Sequence, residues 1–320
     1  MSSSIADSND DSGGADILEL SELSKDINSE NDIVKWNDSP AYNYIYNVLI
    51  QLNDSVKSKP RSAQRTVRPI ITKIIDALNK VRTILNEVEP LKQPMRFGNR
   101  AFRLFLTRVF NERAEILKDV TDNKDAHEYF CQSFGSWTRI DYGTGHEFNF
   151  LAFITSLAVL NLIGPDDCIA IVFDVFWAYW DLTLAVQDRY HQEPAGSHGA
   201  WGVDDYVALP FVFGSSQLID HSEITPLNVI DPIVAKAHKD EYIYCRWIDY
   251  LYHVKKGSFS EHSRMLYSLR NLPHFTKLNG GMIKMYRGEV MDRFLVVQHF
   301  RFGSVLKWEG DEKDQEQEEN

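Results

Sequence analysis

The sequence predicts an all-α protein with one large helical domain over residues 33–308. Apolar residues recur every three or four positions through most of this span, which is the spacing of one face of an α-helix. Strand-like alternation of apolar and polar residues is scarce, and no repeat of fixed period is visible. Proline also stands where a helix is expected to begin, as in Ser39-Pro40.

The predicted helices follow one another along the chain. The first begins near Trp36, and apolar residues from Tyr42 to Leu52 recur at helical spacing. The later segments with helix signals are residues 64–87, 98–118, 123–135, 205–218, 227–255, 260–270 and 275–293. Residues 295–300 are instead predicted to form a short extended stretch, because they combine two valines with aromatic and polar neighbours.

Two segments, His146 to Ile163 and Ile169 to His191, are apolar nearly all round, which is typical of helices at the centre of a protein. The eighteen residues from Phe148 to Pro165 carry no charge, which is also a feature of helices that span a membrane. Four polar side chains and the absence of a basic flank favour a buried core helix instead.

The acidity of the chain lies in its two ends. The formal net charge is -12, but residues 1–32 hold nine acids and one lysine, and residues 309–320 hold seven acids and one lysine. The body between them therefore carries about +2, which argues against nucleic-acid binding as its main purpose. Both ends are predicted to be disordered acidic tails, because they combine high charge with little apolar surface.

Cys131, Cys168 and Cys245 are far apart, odd in number and without the spacing of metal ligands. They are expected to be buried thiols in a reducing compartment. The polar, acidic N-terminus has no signal-peptide pattern. We therefore expect a cytoplasmic location, with the nucleus left open as a second compartment, and no membrane partner.

Two glycine-containing loops are the candidates for a polar site. The first runs from Arg139 to Glu147, and the second runs from Glu193 to Asp205. Each stands before an apolar, helix-like run, and glycine lets a backbone turn tightly or approach a ligand closely. At the end of the second loop, Asp204 is expected to cap the next helix, which leaves Asp205 to meet a cation.

The first loop has the composition of a phosphate site. Arg139 offers a charge-assisted fork, and Thr144 and Gly145 stand at a helix N-terminus, where backbone amides favour anions. A loop that only caps a helix is the alternative. His146 and Glu147 are either an acid and a base or groups that hydrogen-bond to the other loop.

These loops resemble those of the phosphotyrosyl phosphatase activator family, the activators of type 2A protein phosphatase. The resemblance covers about residues 36–306. The blocks that carry it are Trp36 with Pro40–Tyr42, Arg96–Asn99, Arg139–Glu147, Glu193–Asp205, Gly214–Leu218, Gly281–Tyr286 and Val297–Phe300. Trp137 departs from the usual Gly-Asn-Lys-Thr pattern, and Leu295 stands where proline is common.

The resemblance implies an all-helical fold with core, linker and lid parts around one cleft. It implies ATP and magnesium as cofactors, and a complex with the catalytic subunit of type 2A and related phosphatases. It also implies peptidyl-prolyl cis/trans isomerase activity on proline-containing peptide segments.

The resemblance also assigns the site residues. The nucleotide contacts it implies are Arg139, Thr144, Gly145, Leu295, Gln298 and His299. Asp205 and the carbonyl of Gly199 are the implied magnesium ligands, since magnesium prefers hard oxygens and keeps several waters. Trp201, Tyr206 and Asp205 are the residues expected near an isomerised peptide bond.

Three functions are compatible with these features. The first is an ATP- and magnesium-dependent activator that shapes the phosphatase active site and its metal loading. The second is a stand-alone prolyl isomerase, which needs no nucleophile because the barrier to rotation is conformational. The third is a non-catalytic helical scaffold whose glycine loops only pack.

Overall fold

The computed structural model describes residues 23–92, 97–196 and 198–309, and it confirms the all-α prediction. The helices are α1 (Asp32–Asp38), α2 (Pro40–Ser55), α3 (Pro69–Glu87), α4 (Ala101–Leu117), α5 (Lys124–Gln132), α6 (Thr144–Val159), α7 (Pro165–Tyr190), α8 (Leu209–Gln217), α9 (Pro232–His238), α10 (Ile243–Val254), α11 (Phe259–His262), α12 (Arg264–Leu269), α13 (Phe275–Tyr286) and α14 (Phe294–Val297). Two strands of two residues, β1 (Asp141–Tyr142) and β2 (Glu193–Pro194), and a 3₁₀ turn (Gly199–Trp201) lie in the glycine loops.

Part of the predicted N-terminal tail, residues 1–32, packs on the body. Leu23 and Ile27 are buried, and Ser24 exchanges two backbone hydrogen bonds of 2.9 Å with Phe302. These two apolar side chains pack into the core, although the acidic residues around them in the sequence make the segment look disordered. The predicted boundary at residue 32 is therefore wrong, whereas residues 1–22 and 310–320 lie outside the described residues.

The helices α6 and α7 form the centre of the core, as their all-round apolar composition predicts. Phe150 of α6 stacks on Tyr179 of α7 with ring centroids 3.7 Å apart. Trp180 of α7 is fully buried and meets Trp247 of α10 edge to face at 5.3 Å. Aromatic packing between three helices therefore fixes the floor on which the glycine loops stand.

Among the described residues, α7 is the one helix long and apolar enough to cross a membrane by length and composition. Its most apolar window is 61% buried inside the protein. Two of its acids also pair with the body, Asp174 with Arg65 and Asp181 with Arg246. A helix that is largely buried and whose acids are paired within the protein is typical of a core helix. The uncharged stretch singled out in the sequence belongs mainly to α6, which has sixteen residues.

The start of the body is tied to its C-terminal part. Ser39 accepts a hydrogen bond from the Tyr42 amide, which confirms the predicted helix start at α2. The indole nitrogen of buried Trp36 donates to the Met291 carbonyl at 2.7 Å. This bond joins residues far apart in the sequence, and the Trp36 ring also packs against Phe148 of α6.

The single helix predicted over residues 227–255 is wrong, because α9 and α10 are separate helices. Gln217 at the end of α8 accepts a hydrogen bond from the Ile243 amide at 2.9 Å and donates to the Glu241 carbonyl at 3.1 Å. A side chain of another helix thus satisfies the backbone groups at the break. Apolar spacing along the chain cannot reveal such a partner.

The extended stretch predicted over residues 295–300 is also wrong, because α14 occupies its first half. The Val297 amide donates to the Arg293 carbonyl and the Gln298 amide to the Phe294 carbonyl, at 3.1 and 2.8 Å. A turn satisfies these backbone groups locally, whereas a strand needs a neighbour to pair with.

Other helix boundaries move by a few residues. The segment predicted over residues 205–218 becomes helical only at Leu209, and the one over 260–270 is split into α11 and α12. The last long helix leaves α-helical geometry after Tyr286 and continues as a π-helical turn over Arg287–Met291.

The two glycine loops meet through their short strands. β1 and β2 pair in parallel, with Asp141 opposite Glu193 and Tyr142 opposite Pro194. A Cβ on Gly143 would lie 2.9 Å from the carbonyl oxygen of Ala195, so the two backbones touch at this point. This contact places both loops at one site.

We predict that Gly214→Ala destabilises the protein by about 3 kcal/mol, the upper range for overpacking of a core. A Cβ on Gly214 of α8 would lie 2.8 Å from the Tyr244 Cα atom and closer still to its amide nitrogen, so α8 and α10 would have to separate. Urea unfolding measures the change.

The matched control is Gly280→Ala in α13, where an added Cβ meets nothing within 4 Å. This variant should gain about 0.5–1 kcal/mol, because alanine loses less backbone entropy in a helix than glycine does. Equal stability of the two variants would contradict a backbone contact at Gly214.

Candidate functional site

A cavity of about 590 Å³ lies where the two glycine loops meet the C-terminal helices. Its polar lining is drawn from Arg139, Asp141 and Thr144 of the first loop, His198, Gly202, Asp204 and Asp205 of the second, and Lys284, Glu289, Arg293, Gln298 and His299 of the C-terminal part. Its apolar lining includes Trp201, Val203, Val207, Met265, Val290, Leu295 and Val296. The site therefore combines charged groups with apolar side chains.

A second cavity of about 550 Å³ opens on the other side of the first loop. Its apolar wall contains Leu106, Phe110, Phe148 and Phe300, and Trp137 lies at it as well. Arg139, Thr144, Leu295 and His299 line both cavities, whereas Gln298 lines the first and Gly145 the second. The structure thus brings all six predicted nucleotide contacts together on one ridge between two cavities.

The Glu147 carboxylate joins the two loops from below. It is fully buried in the first turn of α6, and its Oε1 accepts from the Trp180 indole at 3.0 Å. Its Oε2 accepts from the Ala208 and Leu209 amides at 2.8 and 3.0 Å. Glu147 therefore caps α8 just beyond the second loop, so its hydrogen bonds are structural but do not reach residues 193–205. The imidazole of His146 instead contacts the Gln132 carbonyl at 2.8 Å. Burial raises the pKa of Glu147 to about 7, against the opposing effect of these donors.

The expectation that Asp204 caps the next helix is wrong. Asp204 Oδ1 accepts from the Tyr206 and Val207 amides at 2.8 and 3.1 Å, which forms a turn before α8 begins. Burial raises the pKa of this carboxyl, although the two amides oppose the shift. The carboxylate of Asp204 is therefore occupied by the loop itself.

Arg139 does not stand alone at the first loop. Its Nε donates to Asp141 Oδ2 at 2.6 Å, and half of its side chain is exposed. Burial raises the pKa of Asp141, but the nearby His146 imidazole and the hydrogen-bonded Arg139 guanidinium outweigh it and hold the pKa below the usual range. A phosphate at Arg139 would therefore bind beside a carboxylate that already shares the guanidinium.

His299 stands exposed on the ridge between the cavities. Partial desolvation lowers its pKa, and the charges of Arg139 and Lys25 lower it further, which favours the neutral imidazole. The side-chain amide of the neighbouring Gln298 donates a hydrogen bond to the Leu295 carbonyl at 3.2 Å. Both groups are polar but uncharged, which suits contacts to a ribose or a base rather than to a phosphate.

The three predicted catalytic residues are placed differently. Trp201 is 63% exposed at the rim of the first cavity, where the Arg264 guanidinium lies 5.1 Å from its ring centroid. Asp205 lines the same cavity. The Tyr206 hydroxyl donates to the Gln192 carbonyl at 3.1 Å, away from the lining residues. The structure therefore brings two of the three to the cavity.

Among the described residues no group of three His, Cys, Asp or Glu side chains could hold a metal, so the predicted magnesium ion would depend on one carboxylate, backbone carbonyls and waters. The Gly199 and Asp204 carbonyl oxygens both lie near Gly202, where an added Cβ would be 3.6 and 3.2 Å from them, and the Gly199 oxygen also accepts from the Gly202 amide at 3.1 Å. Asp205 adds a carboxylate to the same loop. Hard oxygens supplemented by waters are the ligands that magnesium prefers.

No pattern in the sequence points to Lys255 as a partner of Asp205. Lys255 Nζ lies 2.6 Å from Asp205 Oδ2, and each side chain is about one-fifth exposed. On the other side of the loop, His198 Nε2 lies 2.7 Å from Arg293 Nη1, which also pairs with Glu289. Residues 50 or more positions away thus hold the second loop, and no local pattern predicts them.

Three comparisons with known proteins bear on these loops. A family model described as "Phosphotyrosyl phosphate activator (PTPA) protein" matches residues 23–308. The chain is 35% identical over 291 residues to the probable serine/threonine-protein phosphatase 2A activator 1 of Dictyostelium discoideum, covering 89% of this chain and 90% of the relative.

A second relative, serine/threonine-protein phosphatase 2A activator 2 of Debaryomyces hansenii, is 36% identical over 296 residues, covering 88% of this chain and 81% of the relative. The solved structure of the PP2A phosphatase activator Ypa1 PTPA1 superposes with a TM-score of 0.82 at 30% identity, covering 91% of this chain and 96% of that one. Sequence and fold agree along nearly the whole described chain.

We predict that Glu147→Gln removes a pH-dependent part of the stability. The pKa of Glu147 is raised in the folded protein, so its contribution is complete below pH 4.5 and is lost as the pH rises through about 7. The stability advantage of the parent over the variant should fall by about 3 kcal/mol between pH 5 and pH 8.5. Urea unfolding at four pH values measures it.

Glu89→Gln serves as the control, because the side chain of Glu89 is 79% exposed. It should follow the parent within about 0.5 kcal/mol at each pH. A Glu147→Gln deficit that stays constant with pH would show that the carboxyl does not titrate in this range.

Proposed function

The chain belongs to the phosphotyrosyl phosphatase activator (PTPA) family, and from that premise we propose that it activates a type 2A serine/threonine protein phosphatase by binding the catalytic subunit. The similar proteins of Dictyostelium discoideum and Debaryomyces hansenii are both named phosphatase 2A activators. Because the match extends over residues 23–308, both glycine loops and residues 295–299 belong to the shared part.

The observation that carries the proposal is the cavity between the two glycine loops and its exposed apolar rim. Trp201 and Leu295 line this cavity and are 63% and 64% exposed. Large exposed apolar side chains beside a polar cavity are typical of surfaces that bind another protein. The catalytic subunit is therefore proposed to cover the mouth of the cavity.

Magnesium and ATP are the proposed cofactors of this joint surface. Thr144 at the N-terminus of α6 and Arg139 in the loop before it would hold phosphates, because helix amides and a guanidinium both favour anions. Gln298 and His299 would meet the uncharged part of the nucleotide. When bound, Mg-ATP would supply a divalent cation and phosphates for shaping the phosphatase active site and its metal loading.

Prolyl isomerisation is the second proposed activity. The cavity offers apolar side chains, among them Val203 and Met265, together with the indole of Trp201. Such a surface can bind a twisted X–Pro bond more tightly than a planar one, which is what catalysis of a conformational barrier needs. Tyr206 would act through packing, because burial raises its pKa to about 12 and its hydroxyl is engaged with Gln192.

The proposed location is the cytoplasm, with the nucleus as a second compartment. Cys131, Cys168 and Cys245 are all buried free thiols in the structure. Burial raises the pKa of each of them, so the reactive thiolate is disfavoured. This arrangement suits a reducing compartment.

We predict that Asp205→Asn lowers Mg-ATP-dependent reactivation of an inactive phosphatase catalytic subunit by about tenfold or more, because a magnesium ligand loses its charge. The fold should persist, with stability within about 1 kcal/mol of the parent, since asparagine is nearly isosteric and the flexible Lys255 side chain can carry its charge to solvent. Phosphatase activity after incubation, and a thermal melt, provide the two measurements.

Asp181→Asn is the matched control, because Asp181 also pairs with a basic residue, Arg246, but lies on α7 outside the lining of the first cavity. It should reactivate the phosphatase as the parent does. Full reactivation by Asp205→Asn at normal stability would remove Asp205 from the proposed metal site.

We predict that Trp201→Ala reduces turnover of a proline-containing peptide by about tenfold, because the exposed indole is the largest apolar group at the cavity rim. A protease-coupled isomerisation assay on the pure protein measures it. Tyr267→Ala, on α12 and outside the lining of this cavity, is the control. If the parent itself shows no turnover, isomerase activity is absent and the activator function stands on the phosphatase assay alone.

A further inference from the structure

Lys255 lies where it would compete with a cation bound to Asp205. Its Nζ is 2.6 Å from Asp205 Oδ2, and the two side chains are only 20% and 21% exposed. Partial removal from water makes such a pair stronger than one at an open surface. The ammonium group is thus a cation already seated on the carboxylate that magnesium would need.

The neighbouring carboxylate, Asp204, is less suited to bind the metal than Asp205. Asp204 is only partly exposed, and its Oδ1 accepts from the Tyr206 and Val207 amides. A metal at this loop therefore depends on Asp205. Repulsion between an ammonium group and a divalent cation opposes their simultaneous contact with one carboxylate.

Lys255 is also able to leave without disturbing the fold. Its backbone nitrogen donates to the Leu251 carbonyl at 2.9 Å, so the main chain is fixed at the end of α10. The ammonium group stands on a flexible four-carbon stem. Rotation of the side chain alone can therefore move the ammonium group away from Asp205.

We propose that Lys255 holds the cation position in the metal-free protein and leaves it when magnesium binds. This inference rests on the proposed magnesium role of Asp205. The exchange keeps Asp205 compensated before the metal arrives and ties the second glycine loop to α10 in that state. It also weakens binding of the bare metal, which favours a cation that arrives with phosphates able to bind the first loop.

The test is a titration of the full chain with Mn²⁺, a spectroscopic substitute for magnesium, followed by electron paramagnetic resonance. Lys255→Met, which keeps the length of the side chain and removes its charge, should bind Mn²⁺ roughly fivefold more tightly than the parent, the scale of a partly shielded ion pair. Lys256→Met makes the same change of net charge at the exposed neighbour and should alter the affinity by less than about twofold.

Two further variants locate the gain. Adding Asp205→Asn to Lys255→Met should abolish the gain in Mn²⁺ affinity, and adding Gly202→Ala should reduce it, because the new methyl group would crowd the Gly199 and Asp204 carbonyl oxygens. Without metal, Lys255→Met should melt at a lower temperature than the parent, and Mn²⁺ should restore part of the difference.

Unchanged or weaker Mn²⁺ binding by Lys255→Met would overturn the exchange, as would the same gain in Lys256→Met. Failure of all these proteins to bind Mn²⁺ at millimolar concentration would overturn it as well. The activator function is judged separately, by reactivation of the phosphatase with Asp205→Asn.

Discussion

The buried carboxylate of Glu147 is the interaction on which the geometry of the site depends. Glu147 lies in the first turn of α6, and its carboxylate accepts a hydrogen bond from the Trp180 indole of α7. It also caps α8 by accepting hydrogen bonds from the Ala208 and Leu209 amides. One side chain thus fixes three helices and the ends of both glycine loops. Desolvation makes the charge costly, as its raised pKa shows, but the three donors would be left unpaired without it.

The sequence predicted the fold class and most helices because helical burial leaves its period in the chain. It failed where a distant side chain decides local structure. Asp204, adjacent to the apolar run, was the natural choice for the helix cap, yet Glu147 supplies it from 61 residues away. The break between α9 and α10 likewise depends on Gln217, although Asp231 before Pro232 was a local helix-start signal that the apolar pattern obscured.

The site was predictable in composition but not in its charge pairing. Arg139, Thr144 and His299 were found because glycine loops and family-like blocks surround them in the sequence. Their electrostatic partners were not, since ion pairs such as Lys255 with Asp205 join segments without a shared motif. Trp137, the clearest departure from the family pattern, donates to Thr107 and packs under the Arg103 guanidinium at 4.6 Å. A bulky indole with fixed contacts therefore stands at the second cavity.

The second loop is held in two different ways, and the difference has a physical consequence. On its inner side, buried hydrogen bonds to Glu147 and Asp204 fix the approach to α8, and breaking them would leave polar groups without partners. On its outer side, contacts such as His198 with Arg293 and Trp201 with Arg264 are largely exposed. Exposed pairs contribute at most about 1 kcal/mol each, so a bound partner can exchange them for its own contacts. The loop therefore combines a fixed base with a replaceable rim, which allows a protein surface to reshape the mouth of the cavity while the floor keeps its geometry.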